Sequence, residues 1–159
     1  PKHYIPAVES GVKEAIETGV FAGYPITDIK VTPYDGSFHE VDSSDMAFKM
    51  AGSIALKNCV GRAKPILLEP VMKLEVTSPG EFLGDIIGDI NSRRGHIESI
   101  DTDNDISTIR TLIPLAEVFG YASTLRSLTQ GRATYSMCFE RYEKLPVELM
   151  EKVRTSGRE

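Results

Sequence analysis

A chain of 159 residues, 41% apolar and 26% charged, suits one large domain or two small ones and can bury a core, which excludes a disordered segment. Its formal charge of −5 argues against a nucleic-acid binder held by charge alone, and no apolar run nears the roughly 18–20 residues that span a bilayer. No apolar segment follows the opening Pro1-Lys2-His3-Tyr4, so no signal peptide is expected, and the absent initiator Met predicts a piece of a longer chain. Cys59 and Cys138 lie far apart without metal-ligand spacing, which fits a reducing, intracellular compartment.

Val8, Val12 and Ile16 recur every four residues, which predicts a helix over about 6–18 with Gly19 at its end. Ile26, Ile29 and Val31 then read as a strand, closed by Pro33 and the turn-forming Asp35-Gly36. Asp42, Ser43 or Ser44 caps the next helix, whose expected apolar face is Ala47, Met50, Ala51 and Ile54 and whose end falls near Gly61. The proline-bracketed stretch 64–70 is an extended connector and the expected domain boundary.

Beyond Pro70 the pattern sharpens. Met72, Leu74 and Val76 alternate with polar residues as in a strand buried on one face, and Pro79-Gly80 turns the chain. Phe82, Leu83, Ile86, Ile87 and Ile90 follow at helical spacing up to Gly95. Ile97 and Ile100 mark a second strand, the acidic turn 101–105 leads into a third over Ile106–Ile113, and Val118, Phe119, Ala122 and Leu125 form a second helix. A last strand holds Tyr135, Met137 and Phe139, and 146–154 reads as a short terminal helix. The order βαββαβ over 71–141 predicts an antiparallel four-stranded sheet with two helices on one face, the ferredoxin-like sandwich. The expected fold class is therefore α+β: an incomplete α/β unit (helix–strand–helix) over 1–69, the sandwich over 71–141, and a C-terminal helix and tail over 142–159.

Familiar catalytic patterns are missing from the sequence. Asp101 to Asp105 lacks the glycine and glutamate of a calcium loop, and His3, His39 and His96 have no paired spacing for zinc. No P-loop motif is present, so no nucleotide phosphate is expected to be cradled here, and Ser43-Ser44 reads as a helix cap, not a nucleophile. Two surfaces remain. The loop 34–42 places Phe38 and His39 at an exposed tip, where such groups can stack on bases or donate to phosphates and 2′-hydroxyls. Arg93 and Arg94, with the loop Ser127 to Arg132, form small basic islands that could touch phosphate, although arginines in a helix's last turn also have a purely structural use.

Several runs carry more than spacing. Tyr34-Asp35-Gly36-Ser37-Phe38-His39-Glu40-Val41-Asp42-Ser43-Ser44 with Ala47-Phe48-Lys49 closely resembles the fourth domain of the elongation factor G family of translational GTPases, as do Leu68-Glu69-Pro70-Val71-Met72 and Gly84 to Asp89 followed by Asn91-Ser92-Arg93-Arg94-Gly95. Pro114-Leu115-Ala116-Glu117, Phe119-Gly120-Tyr121 and Thr129-Gln130-Gly131-Arg132 resemble the fifth domain of the same family, so the likeness spans the whole chain in order.

The resemblance implies part of domain IV over 1–69 and domain V over 71–141 of a cytoplasmic factor that moves tRNA and mRNA on the ribosome. It makes Asp35, Gly36, Ser37, Phe38, His39 and Glu40 the tip that enters the decoding region. It makes Arg93, Arg94, Ser127, Gln130 and Arg132 candidate contacts to the large subunit, near ribosomal RNA and the stalk-base protein. No cofactor is expected in this chain and no enzymatic activity of its own; GTP with magnesium belongs to the parent protein. A recycling or ribosome-protection paralogue is the nearest alternative, and a ferredoxin-like ligand-binding regulatory module is another. The intact Asp35-Gly36-Ser37-Phe38-His39 run favours the translocase.

Overall fold

The computed structural model describes residues 1–156, which fall into two compact units: Pro1–Ile66 with the chain from Pro146 onward, and Leu67–Leu145. In the first unit a short 3-10 turn, Lys2–Tyr4, leads into α1, Ile5–Thr18, which packs against α2, Asp45–Arg62. Small residues decide how closely these helices meet. A Cβ on Gly11 would lie 1.9 Å from the Lys49 carbonyl oxygen, and one on Gly52 would lie 2.6 Å from that of Val8. Backbone therefore touches backbone at the crossing, and Ala15, Leu56 and Val60 bury beside it with Val12, Ile16, Val20 and Ile26 around them.

Two expectations for this unit fail. Ile26–Val31 forms no strand: the backbone from 19 to 44 is irregular, and Ile29 and Val31 stay exposed. A strand exists only as one side of a ladder, and this unit offers no second strand among the described residues to complete one. The segment instead straps back onto α1 through the Ile26 N–H, which donates to the Ile16 carbonyl at 3.0 Å. The buried face of α2 is also not the expected one. Gly52, Leu56 and Val60 face inward, whereas Met46, Met50 and Ile54 are exposed. Both sides of α2 are apolar, and the side carrying Gly52 is the one that permits close approach to α1.

The second unit is a four-stranded sheet in the order β2-β3-β1-β4, with every neighbouring pair antiparallel. Its strands are β1, Leu68–Pro79; β2, His96–Asp103; β3, Ile106–Pro114; and β4, Thr134–Lys144. Helices α3, Leu83–Ser92, and α4, Tyr121–Leu128, complete the βαββαβ order. Leu74 and Val76 of β1 and Ile109 and Ile113 of β3 meet Phe82, Ile86, Ile90, Tyr121 and Leu125 in one core. The β2–β3 hairpin turns on Asn104 and Asp105, both at positive φ (47° and 62°), the type I′ geometry that matches the twist of paired strands. This α+β architecture is the sandwich that the strand and helix periodicities predict. A final helix, α5, Val147–Ser156, follows β4 and belongs with the first unit, where Arg154 lies over the Phe21 ring. Among the described residues no helix is long and apolar enough to cross a membrane.

Candidate functional site

The strongest candidate is the loop that returns the chain to α2. Every residue from Ile29 to Asp42 is exposed, and Tyr34 (96%) and Val41 (93%) stand almost wholly in solvent. At its outer end the Asp35 carboxylate accepts from the Gly36 N–H at 2.8 Å, but the backbone makes no turn there: the turn falls at 40–42 and not at the expected Asp35-Gly36. Its inner end is closed reciprocally: the His39 N–H donates to Ser43 Oγ at 2.9 Å, and the Ser43 N–H donates to the His39 carbonyl at 3.1 Å. Ser44 Oγ then accepts from the Ala47 N–H at 3.1 Å and caps α2. The sequence expectation of a Ser43 or Ser44 cap thus divides in two: Ser44 starts the helix, and Ser43 ties the loop.

Aromatic rings hold the base of this loop. Tyr4 stacks on Phe48 with centroids 4.3 Å apart and planes at 15°, and Phe38 lies 5.9 Å from Tyr4 on its way back from the tip. The Tyr4 hydroxyl donates to the Ser43 carbonyl at a long 3.4 Å. Asp35, Gly36, Ser37, Phe38, His39 and Glu40 are therefore brought together as one exposed tip, with a shallow cavity of about 360 Å³ between it and the N-terminal turn. Tyr4 and Phe48 were not distinguishable in the sequence as parts of this site, because nothing local links an aromatic before α1 to a loop more than thirty residues later.

Electrostatics restrict what the tip can do. Asp35, Glu40 and Asp42 flank His39 along the chain, so the loop cannot gather phosphates by charge. Its usable chemistry is short-range: shape, ring stacking, and donation from the imidazole and backbone N–H groups.

The basic residues of the second unit are placed differently. Arg93, with its side chain 15% exposed, donates through Nε to Asp89 at 3.0 Å, through Nη1 to the Glu117 and Phe119 carbonyls at 2.7 and 3.0 Å, and through Nη2 to Thr124 Oγ1 at 3.1 Å. Its guanidinium also lies 5.3 Å from the Tyr121 ring centroid. Arg94 forms a two-pronged pair with Glu69 at 2.8 and 3.0 Å and reaches Glu117 at 2.9 Å. The hydrogen bond to Glu69, with further help from Glu117, raises its pKa against the opposing effect of burial. Arg93 and Arg94 serve as internal ties that hold the 117–120 loop against α3, α4 and β1, with nearly all of Arg93's donors engaged and Arg94 still 30% exposed.

Ser127, in the last turn of α4, and Gln130 and Arg132, in the loop that follows, lie on the surface. Arg132 pairs with Glu81 at 2.6 Å while remaining half exposed. Gln130 and Gly131 take positive φ (52° and 74°), and buried Thr129 latches this loop by donating to the Leu125 carbonyl at 2.7 Å and accepting from the Ala133 N–H at 3.2 Å. Thr129 is a supporting residue that the basic pattern of the sequence did not reveal. No cluster of His, Cys, Asp and Glu among the described residues could hold a metal ion.

Residues 1–64 match the family description "Elongation factor G, domain IV", and residues 66–153 match "Elongation factor G C-terminus". The chain belongs to the elongation factor G family. A protein of Thermus thermophilus known by crystal structure is similar over 99% of this chain, at 40% identity and a TM-score of 0.84. The match covers 24% of that longer chain. The sequence at hand is thus a region of a translation elongation factor comprising domain IV and C-terminal domain segments, as its motifs imply.

Proposed function

We propose that this region engages the ribosome for a factor that moves tRNA and mRNA after peptide-bond formation, with the tip of loop 34–42 entering the decoding region of the small subunit. GTP with magnesium is then bound and hydrolysed by other parts of the cytoplasmic parent protein, as a translational GTPase requires. The observation that carries this reading is the tip itself: exposed at every residue, tied at its base, and carrying one imidazole flanked in the chain by carboxylates. An acidic projection beside RNA does not act by general attraction. It acts by occupying space and by a few directed hydrogen bonds, which is the behaviour needed to stop a codon–anticodon duplex from slipping back once it has moved.

His39 supplies such a directed donor, to an RNA phosphate or 2′-hydroxyl, and no proton transfer is required of it. Ser127, Gln130 and Arg132 offer exposed polar groups to ribosomal RNA or the stalk-base protein of the large subunit, while Arg93 and Arg94 hold the neighbouring loop in shape. One lost hydrogen bond to a charged group is worth about 1.5 kcal/mol, so His39→Ala in the full-length protein should slow single-round translocation roughly tenfold. GTP hydrolysis, which takes place elsewhere in the protein, should stay near the unmodified rate. Equal loss of both activities would contradict the assignment.

A further inference from the structure

We infer that Tyr4 and Phe48 are positioning residues that present His39, through a clamp closed on Ser43. This inference rests on the reading of the loop given above. Residues 29–42 have little to hold them: all are exposed, and among the described residues the side-chain hydrogen bond that reaches them from outside is that of Ser43 Oγ with the His39 N–H, Ser43 being held in turn by the Tyr4 hydroxyl. An unanchored loop of this length loses much conformational freedom when it is ordered against a partner, so its tip would bind weakly and in several poses. Three contacts reduce that freedom beforehand. The His39–Ser43 pair of hydrogen bonds fixes the inner turn. Ser43 immediately precedes the N-cap of α2, so the turn is rigidly joined to that helix. Tyr4, from the turn before α1, lies between Phe48 on α2 and Phe38 in the loop, which ties the outer arm to both helices.

The relative strength of these contacts is legible in their geometry. At 3.4 Å the Tyr4 hydroxyl bond is long and weak. The stacked ring, 4.3 Å from Phe48, is the stronger element. Phenylalanine should therefore replace Tyr4 with little loss, whereas an aliphatic residue should not.

The test uses the full-length protein carrying Tyr4→Leu, Tyr4→Phe, His39→Ala, or Tyr4→Leu with His39→Ala. The first readout needs no ribosome: the rate of limited chymotrypsin cleavage after Tyr34 or Phe38, followed by mass spectrometry. Tyr4→Leu should speed cleavage about fivefold and Tyr4→Phe less than about twofold, the range expected for losing or keeping an aromatic pair. The second readout is single-round translocation with GTP hydrolysis measured alongside. Tyr4→Leu should slow translocation about fivefold without slowing hydrolysis, and the double variant should be no slower than His39→Ala alone, because both changes act through one group. Unchanged cleavage in Tyr4→Leu overturns the clamp and leaves the reading of the loop standing. Additive slowing in the double variant overturns the claim that Tyr4 acts through His39. An unmodified translocation rate for His39→Ala, with faster cleavage in Tyr4→Leu, overturns the role of the tip itself and with it the purpose assigned to the clamp.

Discussion

Replacing Gly11 by Ala should loosen the first unit, against the usual effect of that change in a helix. On propensity alone Gly→Ala in a helix interior stabilises by about 1 kcal/mol. At Gly11 the new methyl would sit 1.9 Å from the Lys49 carbonyl oxygen and 2.7 Å from its carbon. To reach even 3.0 Å, the tightest separation real Cβ atoms show, the two helices must separate by roughly 1 Å. The obstacle is backbone, so no side-chain rotation relieves it, and separation uncovers Ala15, Leu56 and Val60, the core of this unit. Overpacking against rigid backbone falls in the upper part of the usual range, about 2–3 kcal/mol, which exceeds the propensity gain of about 1 kcal/mol and leaves a net loss near 1–2 kcal/mol. Hydrogen exchange by mass spectrometry on the full-length protein reads this loss directly, as exchange of α1 and α2 amides faster by roughly five- to thirtyfold. Gly61→Ala in the last turn of α2 is the control: nothing lies within 4 Å of its Cβ position, and protection there should hold or rise. Equal or greater protection in Gly11→Ala would refute the close helix crossing.

Tyr121 yields two further expectations for the second unit. Its hydroxyl is buried and has no hydrogen-bond partner among the described residues, so Tyr121→Phe removes an unsatisfied group while keeping the ring under Arg93, and should raise the urea midpoint by the equivalent of about 1 kcal/mol. Burial, reinforced by the charge of Asp89, raises the pKa of Tyr121 in the folded state. The folded form then keeps its proton where the unfolded chain releases it, so stability is fully present below about pH 10, the unfolded value, and falls as pH rises above it. Denaturation of Tyr121→Phe should show a shallower decline above that pH, and an identical slope in both proteins would contradict the assignment.

The second unit was far more legible in the sequence than the first, and the reason is physical. Leu74 and Val76, or Ile86 and Ile90, each face a single core, so their spacing reports the element directly. Asn104 and Asp105 form the turn that the acidic run foreshadows, because short polar residues tolerate positive φ. In the first unit α2 carries apolar residues on two sides, and hydrophobicity cannot tell which side α1 covers; Gly11 and Gly52 decide that by shape. Ile26–Val31 has strand composition but no partner strand among the described residues, and composition cannot supply a ladder.

At the candidate site the polar residues from 34 to 42 announced an exposed loop, although its turn falls at 40–42 and not at Asp35-Gly36. The tie from Tyr4 to Ser43 joins positions far apart in the chain and left no local trace. Arg93 and Arg94 read as a basic patch because a sequence displays charges without their partners. Glu69, Glu117 and the carbonyls of Glu117 and Phe119 become visible as those partners only in three dimensions.

The central claim is that the tip of loop 34–42 reaches the decoding region. The most direct measurement tethers an iron chelate to Ser37→Cys in the full-length protein, with Cys59 and Cys138, both exposed and free, changed to Ser. Hydroxyl radicals are then generated on the ribosome-bound factor, and strand scission is mapped by primer extension. The account predicts cleavage concentrated in small-subunit RNA around the codon–anticodon duplex. Cleavage confined to the large subunit, or no more than the untethered chelate produces, would contradict it.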